Sequence, residues 1–210
     1  ALNLAKTNNY LTVLDIGCGS AFKLKSYFNE FDITGIDLPQ TVDVLKQTYP
    51  NDKWFSIDLE SENEFEKFKN CSFDIVICAD VIEHLQNPDK LLNFLHSLNF
   101  KHLIISTPDR EIIERRGGSK FGPPNNDCHV REWNKWEIRQ YLQTSGFIVE
   151  EHIISNEEQA TQMLICVKNA SVDSNVGRWK WYINTLKPTE YGDATAYKLG
   201  AKFLSDCDTI

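Results

Sequence analysis

The chain has 210 residues and a formal net charge of −8, and both values exclude certain classes of protein. A chain of this length forms one sizeable core and is too short for two ordinary domains, so we expect one domain with a tail. The acidic balance opposes a broad phosphate-binding surface, because nucleic-acid binding draws on clustered lysine and arginine side chains. We therefore expect no nucleic-acid partner.

The cysteine spacing and the hydropathy exclude further classes of protein. The six cysteines show no Cys-x-x-Cys pair, which opposes a zinc site and a disulfide scaffold, so no metal site is predicted. No apolar run approaches the roughly 20 residues of a membrane span, and no signal peptide precedes the first strand. We expect no membrane partner and a cytoplasmic location. The chain starts at Ala1 without Met and could be part of a longer protein, and its oligomeric state stays unknown.

Apolar, β-rich runs alternate with helical patterns along the first half of the chain. The predicted strands are 10–16, 33–37, 54–57, 73–78 and 103–106. Nearly continuous apolar strands between amphipathic helices are typical of a parallel sheet that is covered on both faces. The sequence therefore predicts an α/β fold with a doubly wound sheet.

The alternation of strands and helices does not continue in the second half of the chain. Residues 107–133 contain too many glycines and prolines for a sustained helix, and a loop of this length is usually functional or disordered. A helix is predicted over 134–144, because Asn134 and Glu137 form a capping-box pattern and Trp133 with Ile138 fits a hydrophobic staple.

Two final strands, 147–154 and 162–167, are expected to close the sheet as a hairpin. The pattern is less clear beyond them, where aromatic residues lie among polar ones. We expect those aromatics to pack back on the domain, with contact to a partner as the alternative. The predicted organisation is a domain over residues 1–168 and a C-terminal extension over residues 169–210.

The end of the first strand is the most informative stretch. Gly17 and Gly19 allow a tight strand-to-helix turn and let a ligand approach the backbone. About twenty residues later, Asp37 ends the second strand, where nucleoside-binding α/β folds place the carboxylate that binds ribose hydroxyls. The two features together predict a nucleoside cofactor.

The residue that follows the glycine turn helps to distinguish two kinds of cofactor. Dinucleotide folds use G-x-G-x-x-G, but this chain has Phe22 at the third position. The run Val13-Leu14-Asp15-Ile16-Gly17-Cys18-Gly19 instead resembles the first motif of the class I S-adenosylmethionine-dependent methyltransferases. The resemblance continues in the family's order and spacing, over roughly residues 11–168. It is carried by Gly35-Ile36-Asp37-Leu38, by Ser56-Ile57-Asp58-Leu59 and by residues 73–85 and 103–108.

This resemblance implies a Rossmann-like methyltransferase fold, with a seven-stranded, mostly parallel sheet and an antiparallel final hairpin. It also implies S-adenosyl-L-methionine as the cofactor. The methionine part would lie at the glycine turn, the ribose at Asp37 and the adenine at Asp58 and Leu59. The cofactor-binding residues so implied are Asp15, Gly17, Cys18, Gly19, Asp37, Leu38, Asp58, Leu59, Ala79 and Asp80. As alternatives, Asp37 and Asp58 cap the segments that follow them, and Cys18 is a small filler in the turn.

The acceptor is expected to approach at Ala79 and Asp80, where the family places the reacting methyl group. The segment lacks the Asn/Asp-Pro-Pro-aromatic and Pro-Cys signatures of base methylation, which disfavours nucleic-acid bases as acceptors. Residues 122–133 are similar to a segment of small methyltransferases in polysaccharide and sugar pathways. The expected acceptor is therefore a small molecule, with a hydroxyl of a sugar or glycan precursor as the first choice.

Two histidines and one arginine are the candidate acceptor-side residues. His84 and His129 are possible general bases, because imidazole titrates near neutrality. As alternatives, His84 is structural and His129 anchors an irregular loop. Arg131 is predicted to bind an anionic group of the acceptor, or else to pair with Glu132 or Glu137. The other histidines, His96, His102 and His152, are expected to be solvated.

Two rival functions stay open at this point. One is a nicotinamide-dependent oxidoreductase on a similar fold, which would have to compensate for Phe22. The other is a partner subunit that binds S-adenosylmethionine without turnover.

Overall fold

The computed structural model describes residues 1–69, 71–118, 123–156, 158 and 160–169. Within them, seven strands form one sheet in the order β3-β2-β1-β4-β5-β7-β6. The strands are β1 (Thr12–Ile16), β2 (Asp32–Asp37), β3 (Lys53–Ser56), β4 (Ser72–Ala79), β5 (Asn99–Pro108), β6 (Phe147–Asn156) and β7 (Thr161–Lys168). The α-helices are α1 (Leu2–Thr7), α2 (Phe22–Phe28), α3 (Pro39–Thr48), α4 (Pro88–Ser97), α5 (Arg110–Arg115) and α6 (Lys135–Thr144). Two 3₁₀ helices are η1 (Glu62–Phe68) and η2 (Ile82–His84).

The pairing of the strands confirms the predicted fold class. The first five strands pair with one another in parallel, whereas β7 runs antiparallel to both β5 and β6. The sheet is thus mostly parallel and ends in an antiparallel hairpin, as the family resemblance implied.

Two hydrophobic cores cover the two faces of the sheet. Successive residues of one strand alternate between them, so that Val13 of β1 belongs to one core and Leu14 to the other. Helices α1, α2 and α3 contribute to the core that contains Val13, and α4 and α6 contribute to the core that contains Leu14. Because both faces are buried, the central strands are largely apolar, which is the pattern that predicted them.

The strand order reverses next to β1, and this reversal positions the site. The chain proceeds outward from β1 to β2 and β3, and then crosses to β4 on the opposite side of β1. Adjacent crossovers in opposite directions leave a crevice at the carboxyl ends of the two central strands. Gly17 follows β1 and Asp80 follows β4, so both lie at this crevice.

Asparagine side chains cap two of the helices, and the cap at Asn134 was predicted from the sequence. Asn87 accepts a hydrogen bond from the Asp89 N–H at the start of α4. Asn134 and Glu137 form the expected capping box at the start of α6. A short helix, α5, was not predicted. It begins after Asp109, whose carboxylate accepts a hydrogen bond from the Glu111 N–H.

The expectation that three histidines are solvated is wrong. The Nε2 of His96 donates to the Ser145 carbonyl at 2.5 Å, and its ring stacks on Phe147. His102 lies 2.6 Å from the Tyr10 hydroxyl, and His152 lies 2.9 Å from the Gln162 side chain. All of them are partly buried, because elements distant in the sequence pack over them.

Residues 170–210 lie outside the described residues, and so does the expected packing of their aromatic side chains. In the part of the chain that the structure describes, no helix combines the length and the apolar character that crossing a bilayer requires.

Candidate functional site

A cavity of about 390 Å³ opens at the carboxyl ends of the central strands, and we call it the strand-end cavity. Many residues predicted from the sequence line it, namely Gly17, Asp37, Leu38, Asp58, Leu59, Asp80 and His84. Ile36, Ile57, Val81 and Leu85 complete the lining. The structure therefore brings together side chains from four segments that are separate in the sequence.

The glycine turn forms one wall of this cavity and is tied to the end of β2. The N–H groups of Gly17 and Cys18 both donate to the Ile36 carbonyl, at 2.8 and 3.2 Å. Gly17 and Gly19 have φ angles of +71° and +52°, which side chains oppose. A Cβ atom at residue 17 would also lie 2.3 Å from Cγ2 of Val81, so the cavity wall leaves no space for one.

Asp37 links this turn to helix α3. Its Oδ2 accepts a hydrogen bond from the Gly19 N–H at 2.8 Å, and its Oδ1 accepts one from the Leu38 N–H at 2.7 Å. Asp37 does not cap α3, whose N-cap is Leu38 without a side-chain cap hydrogen bond; its carboxylate instead fixes the backbone of the turn and of the strand end. Each carboxylate oxygen has a second lone pair, so the same side chain retains the capacity to accept a hydroxyl group.

Asp58 is similar, because its side chain also binds the local backbone while lining the cavity. Its Oδ1 accepts a hydrogen bond from the Glu60 N–H at 2.8 Å, which forms a local turn. The Asp58 N–H donates to the Glu64 carboxylate at 2.9 Å. The exposed Asp58 and its neighbour Leu59 thus form a fixed rim beside the end of β3.

The remaining predicted cofactor residues do not line the strand-end cavity. Cys18 is buried in the hydrophobic core, where burial raises the pKa of its thiol far above the usual range, so the filler interpretation describes its side chain. Gly19 lines an adjoining opening, and Ala79 is exposed at the end of β4.

Asp15 lies behind the turn rather than in the cavity. Burial raises the pKa of Asp15 from its usual value near 3.8 to about 7, and the charge of Asp37 adds to the shift. A carboxyl group with this pKa is partly protonated at neutral pH. A cation bound close by would favour its ionised form.

Asp80 follows β4 in a left-handed conformation, with a φ angle of +55°. Its N–H donates to the Ser106 carbonyl and its Oδ1 accepts from the Ser106 hydroxyl, both at 3.0 Å. Non-glycine residues adopt this conformation rarely and mostly where the surroundings hold them, as Ser106 does here.

The structure brings His84 and His129 together, and we call them the histidine pair. The backbone carbonyl of Glu83 accepts hydrogen bonds from the N–H groups of Val130 and Arg131, at 2.8 and 3.3 Å. The Cys128 carbonyl lies 2.8 Å from Nδ1 of His84, which must be the donor because a carbonyl only accepts. These contacts hold the two rings with their centroids 4.8 Å apart.

A buried carboxylate that sequence reasoning missed orients His129. Oε1 of Glu132 lies 2.7 Å from Nδ1 of His129, and the Glu132 side chain is only 4% exposed. Nε2 of His129 lies 3.0 Å from the amide nitrogen of Asn126, which donates to it. The proton of the neutral ring is thus on Nδ1. The spacing of three residues between His129 and Glu132 was the available signal for this pair.

Glu83 is the second residue that sequence reasoning missed, although it directly precedes His84. It is fully buried, and its Oε2 accepts a hydrogen bond from the Thr107 hydroxyl at 3.1 Å. Its Oε1 has no hydrogen-bond partner among the described residues. Burial raises the pKa of Glu83 to about 7.

Arg131 lies beside the histidine pair without either of the ion pairs considered for it. Its NH2 group donates to the Gln86 carbonyl at 2.9 Å, and its guanidinium lies 6.0 Å from the centroid of the Trp133 ring. The alternative pairing with Glu132 or Glu137 is not seen, and those carboxylates accept hydrogen bonds from His129 and from the Asn134 N–H instead.

Comparison with known proteins identifies the family. Residues 1–152 match the family model of a methyltransferase domain. The chain belongs to this methyltransferase family. Among its curated relatives are the ubiquinone biosynthesis O-methyltransferases of Rickettsia bellii (strain OSU 85-389) and Rickettsia canadensis (strain McKiel), which are 29% and 30% identical over 151 residues. The alignments cover 67% of this chain but only 63% and 64% of those relatives, so the chain spans less than two thirds of their length.

Solved structures of methyltransferases share the fold. The magnesium protoporphyrin IX methyltransferase of Synechocystis PCC 6803, solved with bound S-adenosylhomocysteine, has a TM-score of 0.58 at 20% identity, and 80% of each chain is covered. The 1,6-didemethyltoxoflavin-N1-methyltransferase of Burkholderia thailandensis has a TM-score of 0.59 at 16% identity, with 79% and 75% covered. These likenesses confirm that the chain has the Rossmann-like methyltransferase fold.

Proposed function

We propose that this protein transfers a methyl group from S-adenosyl-L-methionine to a hydroxyl group of a small molecule. The observation that carries the proposal is the strand-end cavity, which combines the glycine turn, Asp37 and His84 in a chain of the methyltransferase family. The cofactor supplies the methyl group on a sulfonium, and the protein supplies position and electrostatics.

The lining of the cavity supports a definite orientation of the cofactor. Its volume of about 390 Å³ lies within the range of about 300 to 1,000 Å³ that is usual for small-molecule sites. The ribose would bind Asp37, which has lone pairs to spare, and the adenine would lie between Leu38 and Leu59 beside Asp58. The methionine part would then lie at the glycine turn, with the methyl group directed towards Asp80 and His84.

The buried Asp15 supports a cationic ligand at the turn. S-adenosylmethionine has a positive sulfonium and a positive ammonium group, and a carboxylate behind the turn would attract both. Because Asp15 has a pKa of about 7 in the free protein, binding of the cofactor would favour its ionised form. We therefore expect affinity for S-adenosylmethionine to increase as the pH rises through 7.

The histidine pair is proposed to handle the proton of the acceptor. Glu132 holds the proton of His129 on Nδ1, which leaves the lone pair on Nε2. The exposed Asn126 side chain donates to this lone pair and would have to rotate away for an acceptor hydroxyl to take its place. A positioned base of this kind typically contributes a factor of about 10² to 10⁴ in rate. His84 lines the cavity directly and is the second candidate, and Arg131 is the proposed ligand for an anionic group on the acceptor.

The names of the curated relatives support oxygen as the accepting atom, since both are O-methyltransferases. The same names concern ubiquinone biosynthesis, so we extend the proposed acceptors to small molecules beyond sugars. A sugar or glycan precursor stays a prediction from the similarity of residues 122–133. We also propose that residues 1–168 form the cofactor-binding domain, because β7 ends at Lys168.

Calorimetry with S-adenosylhomocysteine tests cofactor binding. We expect Asp37→Ala to weaken binding at least tenfold. Asp43→Ala is the matched control, since Asp43 is exposed on α3 and does not line the cavity, and we expect it to bind like the wild type. Equal affinity of the two variants would remove the proposed ribose contact, and no binding by the folded wild type would overturn the function.

Single-turnover transfer from methyl-labelled S-adenosylmethionine to a panel of hydroxyl acceptors tests the proton step. We expect His129→Ala or His84→Ala to slow transfer to the acceptor that the wild type methylates, whereas His152→Gln, outside the cavity, leaves the rate unchanged. If neither variant of the histidine pair slows transfer, the proton acceptor is assigned wrongly. Binding of the cofactor without transfer to any acceptor would favour a non-catalytic partner subunit.

A further inference from the structure

Glu60 lies next to the strand-end cavity without lining it. It directly follows Asp58 and Leu59, which we call the adenine rim because the adenine is proposed to bind there. The Glu60 N–H donates to Oδ1 of Asp58 at 2.8 Å, so the conformation of the adenine rim determines where Glu60 lies. The Glu60 side chain is 31% exposed and takes no part in the proposed cofactor contacts.

The carboxylate of Glu60 binds the loop between η2 and α4. Its Oε1 accepts hydrogen bonds from the N–H groups of Gln86 and Asn87, at 2.6 and 3.2 Å. Lys90, in the first turn of α4, donates to the Glu60 carbonyl at 2.6 Å and lies 3.9 Å from its Oε2. Hydrogen bonds to an ionised carboxylate are stronger than those between neutral groups. These contacts therefore tie the adenine rim firmly to the loop.

The same loop holds the segment that carries His129. We call residues 126–131 the His129 segment. The NH2 group of Arg131 donates to the Gln86 carbonyl at 2.9 Å. The neighbouring Val130 N–H donates to the Glu83 carbonyl at 2.8 Å. Contacts on both sides of His84 thus hold the His129 segment beside the strand-end cavity.

One peptide group joins the two sets of contacts. The Gln86 carbonyl and the Asn87 N–H belong to the same planar unit, which Arg131 binds on one side and Glu60 on the other. Hydrogen bonds in such a chain polarise and strengthen one another. A continuous path of hydrogen bonds therefore leads from Asp58 through Glu60 and this peptide group to Arg131.

We propose that Glu60 is a positioning residue that couples binding of the cofactor to the placement of the His129 segment. The inference rests on the proposed function, which assigns the adenine to the adenine rim. An adenine packed against Leu59 would hold the rim more tightly, and the rim would then hold Glu60 and the loop that binds Arg131.

The consequence of this coupling is that the acceptor side is completed when the methyl donor binds. Coupling between two sites is reciprocal, so an acceptor that orders the His129 segment would strengthen cofactor binding by the same factor. The path avoids the cavity itself, because neither Glu60 nor Gln86 lines it. Glu60 would therefore act on the histidine pair without touching the cofactor or the acceptor.

Amide hydrogen exchange of the whole chain, followed by NMR with and without saturating S-adenosylhomocysteine, tests the proposal. We expect S-adenosylhomocysteine to slow exchange of the Val130 and Arg131 N–H groups roughly 5-fold or more, since coupling between two sites typically reaches about 5- to 150-fold. Glu60→Ala should lose this slowing while it still binds S-adenosylhomocysteine. Glu60→Gln should retain it, because the side-chain carbonyl can still accept from the Gln86 and Asn87 N–H groups.

Control variants distinguish coupling from a purely structural role. Glu66→Ala should behave like the wild type, since Glu66 is exposed on η1 and its carboxylate contacts the neighbouring Lys69. A purely structural role for Glu60 would speed exchange of Val130 equally with and without S-adenosylhomocysteine, whereas the proposed role removes the difference between the two states. Arg131→Met breaks the other end of the path and should also abolish the slowing at Val130. Adding Glu60→Ala to it should have no further effect.

Two results overturn the coupling and leave the proposed function intact. One is equal slowing in the wild type and in Glu60→Ala, and the other is no slowing in a wild type that binds S-adenosylhomocysteine by calorimetry. A folded wild type that does not bind S-adenosylhomocysteine overturns both proposals. Circular dichroism establishes that each variant is folded, and if Glu60→Ala does not fold, Arg131→Met provides the same comparison.

Discussion

Replacement of Gly17 by alanine is the perturbation whose effect the structure specifies most closely. Residue 17 has a φ angle of +71°, and a Cβ atom there would lie 2.3 Å from Cγ2 of Val81. Gly19 is the matched control. Its φ angle is +52°, but no heavy atom lies within 4 Å of a Cβ atom at that position.

Gly17→Ala and Gly19→Ala both force alanine into a left-handed conformation, but only Gly17→Ala also creates a steric clash. A left-handed conformation costs a residue with a side chain about 1 to 2 kcal/mol, and both variants should lose that much stability. Gly17→Ala must also displace Val81, and overpacking of this kind costs about 1 to 3 kcal/mol more. We therefore expect a loss of roughly 2 to 5 kcal/mol for Gly17→Ala and of roughly 1 to 2 kcal/mol for Gly19→Ala.

Urea unfolding followed by circular dichroism measures both free energies. The double variant Gly17→Ala/Val81→Ala should recover part of the stability of Gly17→Ala, because the smaller side chain frees the space that the new methyl group needs. Equal losses in the two single variants, or no coupling between residues 17 and 81, would refute the reasoning. The second result would mean that the turn relaxes without involving Val81.

Three further predictions concern separate features. Asp15→Asn should remove a pH dependence of stability. The pKa of Asp15 is about 7 in the folded protein and near 3.8 in the unfolded chain, so the wild type loses stability as the pH rises from about 4 to 7. In urea unfolding, the variant should therefore gain about 2 to 3 kcal/mol of unfolding free energy relative to the wild type between pH 5 and pH 8. A pH-independent difference between the two proteins would contradict the burial of the charge. Asn134→Ala should cost about 1 kcal/mol of unfolding free energy through the loss of the α6 cap, and an unchanged midpoint would show that the capping box contributes nothing. Glu132→Gln should slow single-turnover methyl transfer at least tenfold, because Glu132 contacts His129. Binding of S-adenosylhomocysteine should be unchanged, because Glu132 does not line the strand-end cavity. Loss of both methyl transfer and S-adenosylhomocysteine binding would indicate a general structural role.

Most of the architecture could be predicted because its signals are local. The apolar strands, the glycine turn and the capping box at Asn134 each depend on residues that are neighbours in the chain. The mostly parallel sheet with its antiparallel final hairpin followed from the alternation of strands and helices and from the family resemblance, whereas the order of the strands came only from the structure. The helix at Arg110–Arg115 was missed since the prolines and glycines around it concealed a short segment capped by Asp109.

The chemistry of the site depends on contacts between distant residues. The sequence contains both His84 and His129, but their proximity arises only when the segment around Val130 forms hydrogen bonds with the Glu83 carbonyl. Burial is equally non-local, and it produces the raised pKa of Asp15 and the unpartnered oxygen of Glu83.

By itself, the sequence determined which segments become strands, where the capped helix after Asn134 begins and where the glycine turn lies, because hydrophobic periodicity and caps act over a few residues. Only the tertiary structure decided which ionisable groups meet, which are buried and which nitrogen of each histidine is unprotonated. Those properties depend on the packing of whole elements and on the loss of water around them, and neither is encoded in any short stretch of chain.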